Sequence, residues 1–166
     1  HEVKPAIVEV SFKDENNFEI QIKLSLETLI TNISSVKTSS DHISNSNLYN
    51  QLRSLTPEAL KKEFHIHSKN FLNGIRLIAN KTKQKLKITN VTIPHVGDLS
   101  ISRVSSLTLK GQITQKTASI TWGWAKKFGA NIIRLRRANP LPNQADKIIF
   151  SAYLTNGKQS SFISLK

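Results

Sequence analysis

An alternation of apolar and polar side chains near the amino terminus constrains the fold of this chain more than any other feature. Successive side chains of a β-strand point to opposite faces, so strict alternation predicts a strand with one buried and one solvent-exposed face. Residues 6–13, followed by the polar residues 14–16, predict a first strand and a turn, and therefore a hairpin. The alternating segment contains the apolar Phe18, Ile20, Ile22, Leu24 and Leu26 and the polar Glu19, Gln21, Lys23 and Ser25.

The period of the pattern then changes. Apolar residues recur at helical spacing over residues 26–33, which predicts a helix. The run over residues 34–47 is rich in Ser, Thr, Asn and Asp and predicts a loop. Leu48, Tyr49 and Leu52 predict a further short helix.

A longer helix is predicted over residues 57–73. Thr56 has the side chain of a helix N-cap, and Pro57 suits the first helical position because its missing N–H would have no partner there. These segments together predict a helical insertion over about residues 27–73, directly after the second strand.

Alternation returns after Gly74 and predicts a mainly β fold. Asn156 and Gly157 predict a hairpin between the last two strands, and Trp122 and Trp124 fit a buried aromatic core. About nine strands without a β-α-β rhythm predict one domain over residues 1–166, an antiparallel, Ig-like β-sandwich. The later predicted strands are residues 75–79, 85–93, 99–109, 118–124, 132–136, 148–154 and 161–165.

Composition limits the kinds of site that the chain can form. No cysteine is present, so a metal ion must be bound by nitrogen and oxygen atoms. The formal charge of +13 favours acidic partners such as anionic lipid, acidic protein or nucleic acid. No run approaches the ~20 apolar residues of a membrane-spanning helix. The first residue, His1, indicates that a preceding segment has been removed, and we interpret that segment as a signal peptide.

Four segments together carry a family resemblance. They are HEVKPA (residues 1–6), TPEALKKEF (56–64), IPHVGDLSISRVSSLTLKG (93–111) and ITWGWAKKFG (120–129). In order and spacing the chain resembles the extracytoplasmic N-terminal domain of HupE/UreJ-like membrane proteins. The resemblance implies a periplasmic or otherwise extracytoplasmic domain, attached to a multi-helix membrane part associated with nickel or cobalt uptake.

An amino-terminal histidine suggests a metal site. The free α-amine and the imidazole of His1 can chelate one ion together, as in a histidine brace, and one further histidine completes three nitrogen ligands. Such a set favours Cu(II) or Ni(II). The alternative is a frayed terminus that binds nothing.

The other histidines are weaker candidate ligands. His65 and His67 would share one face of a strand, but on the predicted helix they point nearly opposite ways. His95 lies in a predicted loop, where ligands are often presented, and the resemblance makes this turn a functional rim. His42 lies in the polar run and is the weakest candidate.

Basic residues suggest a second kind of partner. Strand alternation places Lys85 with Lys87 on one face, and Arg134 with Arg136 on one face. Arg137 follows directly and adds to the same basic group. Such a positive stripe favours acidic lipid headgroups. A nucleic-acid groove would also need exposed aromatic side chains for stacking, which the sequence does not indicate.

The function expected from the sequence is binding rather than catalysis. Paired carboxylates, a nucleophile signature, a Gly-rich phosphate loop and a HExxH motif are all missing from the sequence. The leading hypothesis is an exported transition-metal-binding domain of a HupE/UreJ-like transport protein, with metal ligands among His1, His65, His67 and His95. The alternative is an interaction module that docks through its basic face to a membrane or an acidic protein.

Overall fold

The alternating residues near the amino terminus form the middle of a six-stranded sheet. The computed structural model describes residues 4–14, 16–35, 41–113, 119–137, 143–144 and 146–164, and of residues 41–44 the backbone only. As the sequence predicts, β1 and β2 form an antiparallel hairpin. The sheet runs β5-β6-β2-β1-β8-β9. Its strands are β1 (Ala6–Phe12), β2 (Asn17–Leu24), β5 (Lys87–Thr92), β6 (Ser105–Gln112), β8 (Asn131–Arg137) and β9 (Lys147–Leu154).

A smaller sheet shares the core of the first. It runs β10-β7-β3-β4, with β3 (Ile75–Ala79), β4 (Thr82–Lys83), β7 (Ser119–Trp124) and β10 (Ile163–Ser164). Trp122 and Trp124 are buried, as predicted. The indole N–H of Trp122 donates to the side-chain oxygen of Asn131 on β8 at 2.9 Å. The two sheets therefore meet at one hydrophobic cluster.

Three helices lie between β2 and β3. They are α1 (Leu26–Ser34), α2 (Asp41–Arg53) and α3 (Pro57–Asn73). The hydroxyl of Thr56 accepts from the backbone N–H of Ala59, and Pro57 opens α3, so the predicted cap and bounds of this helix are confirmed. Among the described residues, no helix combines the length and apolar character that crossing a bilayer requires.

The loop predicted over residues 34–47 is wrong from residue 41 onward, where α2 begins. Its Ser and Asn residues have low helix propensity and obscure the helical period. Contacts with α1, and the packing of Leu48 and Leu52 on the core, stabilise the helix instead. Residues 36–40 lie outside the described part of the chain.

Two predictions about strand pairing are also wrong. β1 and β8 are parallel, so the larger sheet is mixed rather than antiparallel. Asn156 and Gly157 do adopt the positive φ angles of a tight turn, 55° and 72°. They do not connect a hairpin, because β9 pairs with β8 while β10 pairs with β7 of the other sheet.

The close packing of Gly74, at the end of α3, against Phe128 can be tested by substitution. A Cβ atom at Gly74 would lie 2.4 Å from the ring of Phe128. We therefore expect Gly74→Ala to lower the free energy of unfolding by about 1–3 kcal/mol, the usual cost of overpacking. Denaturant unfolding measures the loss. In a Phe128→Leu background the same substitution should cost clearly less, and an equal cost in both backgrounds would contradict the clash.

Candidate functional site

A buried arginine fixes the irregular segment between β5 and β6. Arg53, the last residue of α2, is 4% exposed. Its guanidinium donates to three backbone carbonyls, those of Val96 at 2.6 Å, Asp98 at 2.8 Å and Ile101 at 3.1 Å. These carbonyls are therefore bound to a side chain instead of a neighbouring strand. This is why the strand predicted over residues 99–109 begins only at Ser105.

A second arginine ties the same segment to the helices. The guanidinium of Arg103 lies 2.8 Å from the carboxylate of Glu27 on α1, and both side chains are essentially inaccessible to solvent, at 1% and 0% exposure. Arg103 also donates to the carbonyls of Leu52, Leu55 and Pro94. Such a pair holds its geometry firmly, because removing either partner would leave a buried charge uncompensated.

With its carbonyls turned toward the arginines, this segment projects apolar side chains outward. Leu99, Ile101 and Val104 are 52%, 62% and 50% exposed. We call these three side chains the apolar tips. The one acid beside them, Asp98, accepts hydrogen bonds from the hydroxyl and the backbone N–H of Ser100, and these bonds lower the pKa of its carboxyl group. Asp98 therefore remains ionised at neutral pH.

A groove of about 580 Å³ lies next to the apolar tips. It runs between the helices α1 and α2 on one side and one end of the larger sheet on the other. At that end β1, β6 and β8 begin, and β2 and β9 end. Among the described lining residues, the charged ones are Lys4 and Lys23, both of them exposed. Its apolar wall includes Pro5, Ala6, Leu24, Leu29, Val104 and Phe128.

The outer lip of the groove is one row of side chains across the sheet. Strand register places Lys23 beside Ile7, Ile7 beside Ile132, and Ile132 beside Tyr153. Lateral neighbours point to the same face, so the row is an apolar ledge with an ammonium group at one end and a phenol at the other. Three strand spacings separate the two ends, about 14 Å.

The described histidines do not converge on a common site. His65 and His67 both lie on α3, where residues two apart point to nearly opposite sides. His95 is exposed in the segment before β6. Within the described ranges, no three His, Asp or Glu residues form a group able to bind a metal. His1 and the side chain of His42 lie outside those ranges, so the chelate at the terminus stays a prediction.

The predicted basic residues fall into two separate groups. Lys85 precedes β5 and Lys87 begins it, whereas Arg134, Arg136 and Arg137 lie on β8, four strand positions away in the sheet. Arg134 and Arg136 share a face, as expected. Both pair with Glu9 of β1, at 3.5 and 3.0 Å, so part of their charge is compensated.

Sequence reasoning missed the arginine contacts and the groove. A signal for Arg103 was present, because it stands on the apolar side of an alternating segment with Ile101, Leu107 and Leu109. Glu27 gave a weaker signal, since an acidic residue in the first turn of a helix is common without any partner. Arg53 gave none.

Models of known protein families do not match the chain, and no curated protein is significantly similar to it. The resemblance to HupE/UreJ-like proteins therefore remains a prediction from the four sequence segments.

Removing the Arg53 guanidinium should release the segment before β6. In Arg53→Met, the carbonyls of Val96 and Ile101 lose their side-chain donor and that of Asp98 keeps only the backbone N–H of Ile101, and each carbonyl left unpaired and out of water costs up to about 1–3 kcal/mol. We expect hydrogen exchange at the amides of Ser100 and Ile101 to accelerate about tenfold or more. Arg76→Met is the matched control, because Arg76 donates to Trp124 and Gly157 elsewhere. Equal acceleration in the control would contradict the local role of Arg53.

The pair between Glu9 and Arg136 predicts a pH effect on stability. Hydrogen bonding by Arg136 lowers the pKa of Glu9 below its usual value of 4.5. The pair therefore stabilises the fold above that value, and its contribution is lost as the pH falls through the lowered pKa. At neutral pH, Glu9→Gln should cost the 0.2 to about 1 kcal/mol typical of exposed ion pairs. In acid the variant and the original chain should unfold at the same denaturant concentration. A difference that persisted in acid would mean that charge pairing is not its cause.

Proposed function

We propose that this chain is a binding domain that docks on an anionic membrane surface through its apolar tips and the adjoining lysines. The observation that carries the proposal is the orientation of the segment before β6. Three of its carbonyls are bound by Arg53, and Leu99 and Ile101 project the other way. Contact with hydrocarbon is costly for a loop whose backbone groups lack hydrogen-bond partners. In this chain the cost is lower, because Arg53 already binds three of the carbonyls.

Two exposed lysines at the groove beside Val104 outnumber Asp98, the ionised acid next to Leu99, and so support a negatively charged surface. Lys4 and Lys23 are exposed and line the groove together with Val104. A lysine close to an anionic leaflet contributes about 1 kcal/mol of attraction. The net charge of +13 acts in the same direction over longer range. Tyr153 is 63% exposed at the groove, and its amphipathic ring suits the boundary between headgroups and acyl chains.

The remaining sequence hypotheses stand beside this proposal. An extracytoplasmic location next to a membrane part, as the HupE/UreJ-like resemblance implies, is compatible with membrane docking. An Ig-like sandwich is our proposal for the relation of the two sheets, supported by the hydrogen bond between Trp122 and Asn131. Binding of Cu(II) or Ni(II) depends on His1 and is a separate hypothesis. Its test is titration of the chain before and after blocking the α-amine.

Vesicle co-sedimentation tests the docking proposal. The chain should bind vesicles of phosphatidylcholine with phosphatidylglycerol, bind vesicles of phosphatidylcholine alone far less, and lose affinity as salt is added. The double variant Leu99→Ser/Ile101→Ser should bind about tenfold or more weakly, since each side chain is about half exposed and its burial contributes about half of the ~1.5–3 kcal/mol of a fully buried aliphatic side chain.

Ile66→Ser is the matched control for this experiment. Ile66 is 69% exposed, but it lies on α3, outside the proposed docking face. The control should bind vesicles as the original chain does. If the control weakened binding as much as the double variant, or if binding were the same on neutral vesicles, docking through the apolar tips would be wrong.

A further inference from the structure

The groove carries a charge pattern that selects among ligands. Its described lining contains two cations, Lys4 and Lys23, and no carboxylate. Within this described lining, a ligand with a negative group would meet attraction at the rim and no opposing acid. A ligand with a positive group would meet only repulsion.

The shape and the walls of the groove indicate the rest of the ligand. Its volume of about 580 Å³ lies within the range of ~300–1,000 Å³ that is usual for small-molecule sites. Leu24, Leu29 and Phe128 line its interior and are themselves buried. Ile7 and Tyr153 continue this apolar surface to the outer face of the sheet. The ligand therefore needs a substantial apolar body in addition to its acidic group.

We propose that the groove binds one single-chain anionic amphiphile, an alkyl chain that ends in a carboxylate or a phosphate. The chain lies against the apolar wall, and the acidic group pairs with Lys4 and Lys23 at the rim. Hydroxyl and amide side chains of α1 and α2, such as Asn32, Asn45 and Ser46, line the opposite side. They supply polar contacts near the headgroup.

The position of the groove gives the amphiphile a route of entry. Val104 is both an apolar tip and a lining residue. A chain docked through the apolar tips would hold the groove at the level of the membrane headgroups. The inference rests on the proposed docking function only for this source of ligand, because the described lining of the groove consists of residues of the chain alone.

Isothermal titration calorimetry without vesicles tests the site. The probes are dodecanoate and dodecyl phosphate, each below its critical micelle concentration, with dodecanol and dodecyltrimethylammonium as uncharged and cationic controls. We expect one equivalent of either acid to bind, and both controls to bind about tenfold or more weakly. Equal affinity for dodecanol and dodecanoate would overturn the proposed role of the lysines.

Paired variants locate the site. Lys4→Gln/Lys23→Gln should weaken dodecanoate binding about tenfold, as expected on losing two charge-assisted contacts. Lys87→Gln/Lys110→Gln changes the net charge equally at the far end of the outer sheet face and should leave affinity within about twofold. Asn45→Trp fills the groove and should abolish binding, whereas Asn47→Trp, on an exposed part of the same helix, should not.

The outcomes separate this inference from the docking proposal. If the protein binds dodecanoate but does not bind anionic vesicles, the membrane-docking proposal is wrong, and the groove remains a site for a free amphiphile. Vesicle binding with no heat from either acid would leave docking intact and overturn the groove. Dodecanoate binding that survives Asn45→Trp, in a variant with an unchanged circular dichroism spectrum, would also overturn it.

Discussion

Two buried guanidinium groups hold the segment before β6 against the helices of this protein. Arg53 and Arg103 bind partners that are distant in sequence: the carboxylate of Glu27, carbonyls at the junction of α2 and α3, and carbonyls of residues 94–101. A charge buried without partners costs several kcal/mol, so this segment cannot separate from the helices without a large loss of stability. The helical layer and the segment before β6 therefore behave as one unit, and the apolar tips keep their orientation.

The groove depends on a second constraint, the parallel pairing of β1 with β8. Two parallel strands begin at the same end of a sheet, so the start of β1 at Ala6, just after Lys4, lies beside Ala130. The backbone N–H of Ala6 donates to the carbonyl of Ala130 at 3.0 Å. An antiparallel pair would place the start of one strand at the end of the other. The β1–β2 hairpin places Lys4 near Lys23, and the parallel register adds the end of β9 with Tyr153 to the same end of the sheet.

Local patterns predicted the elements whose stability is local. The hairpin of β1 and β2 and helix α3 followed from alternation and from the Thr56 and Pro57 cap, and both are confirmed. Side-chain periodicity predicted the wrong structure where contacts with residues distant in sequence determine it. α2 has a polar sequence and is stabilised by packing on α1 and the core. Residues 99–104 alternate like a strand, but Arg53 binds the carbonyl of Ile101 within them and that of Asp98 just before them. Of the candidate site, the sequence indicated only the positive net charge of the chain, and it identified neither Lys4 and Lys23 nor the groove nor the apolar tips.

The sequence by itself determined that this protein is mainly β, that helices interrupt the strands after the second one, and that Trp122 and Trp124 belong to its core. These features follow from side-chain periodicity and capping, which act over a few neighbouring residues. Only the tertiary structure decided the pairing of the strands beyond the first hairpin, the burial of Arg53 and Arg103, and the groove that α1 and α2 form against the end of the larger sheet. Those outcomes depend on contacts between residues tens of positions apart, where the free energy of burial and charge pairing outweighs local preference.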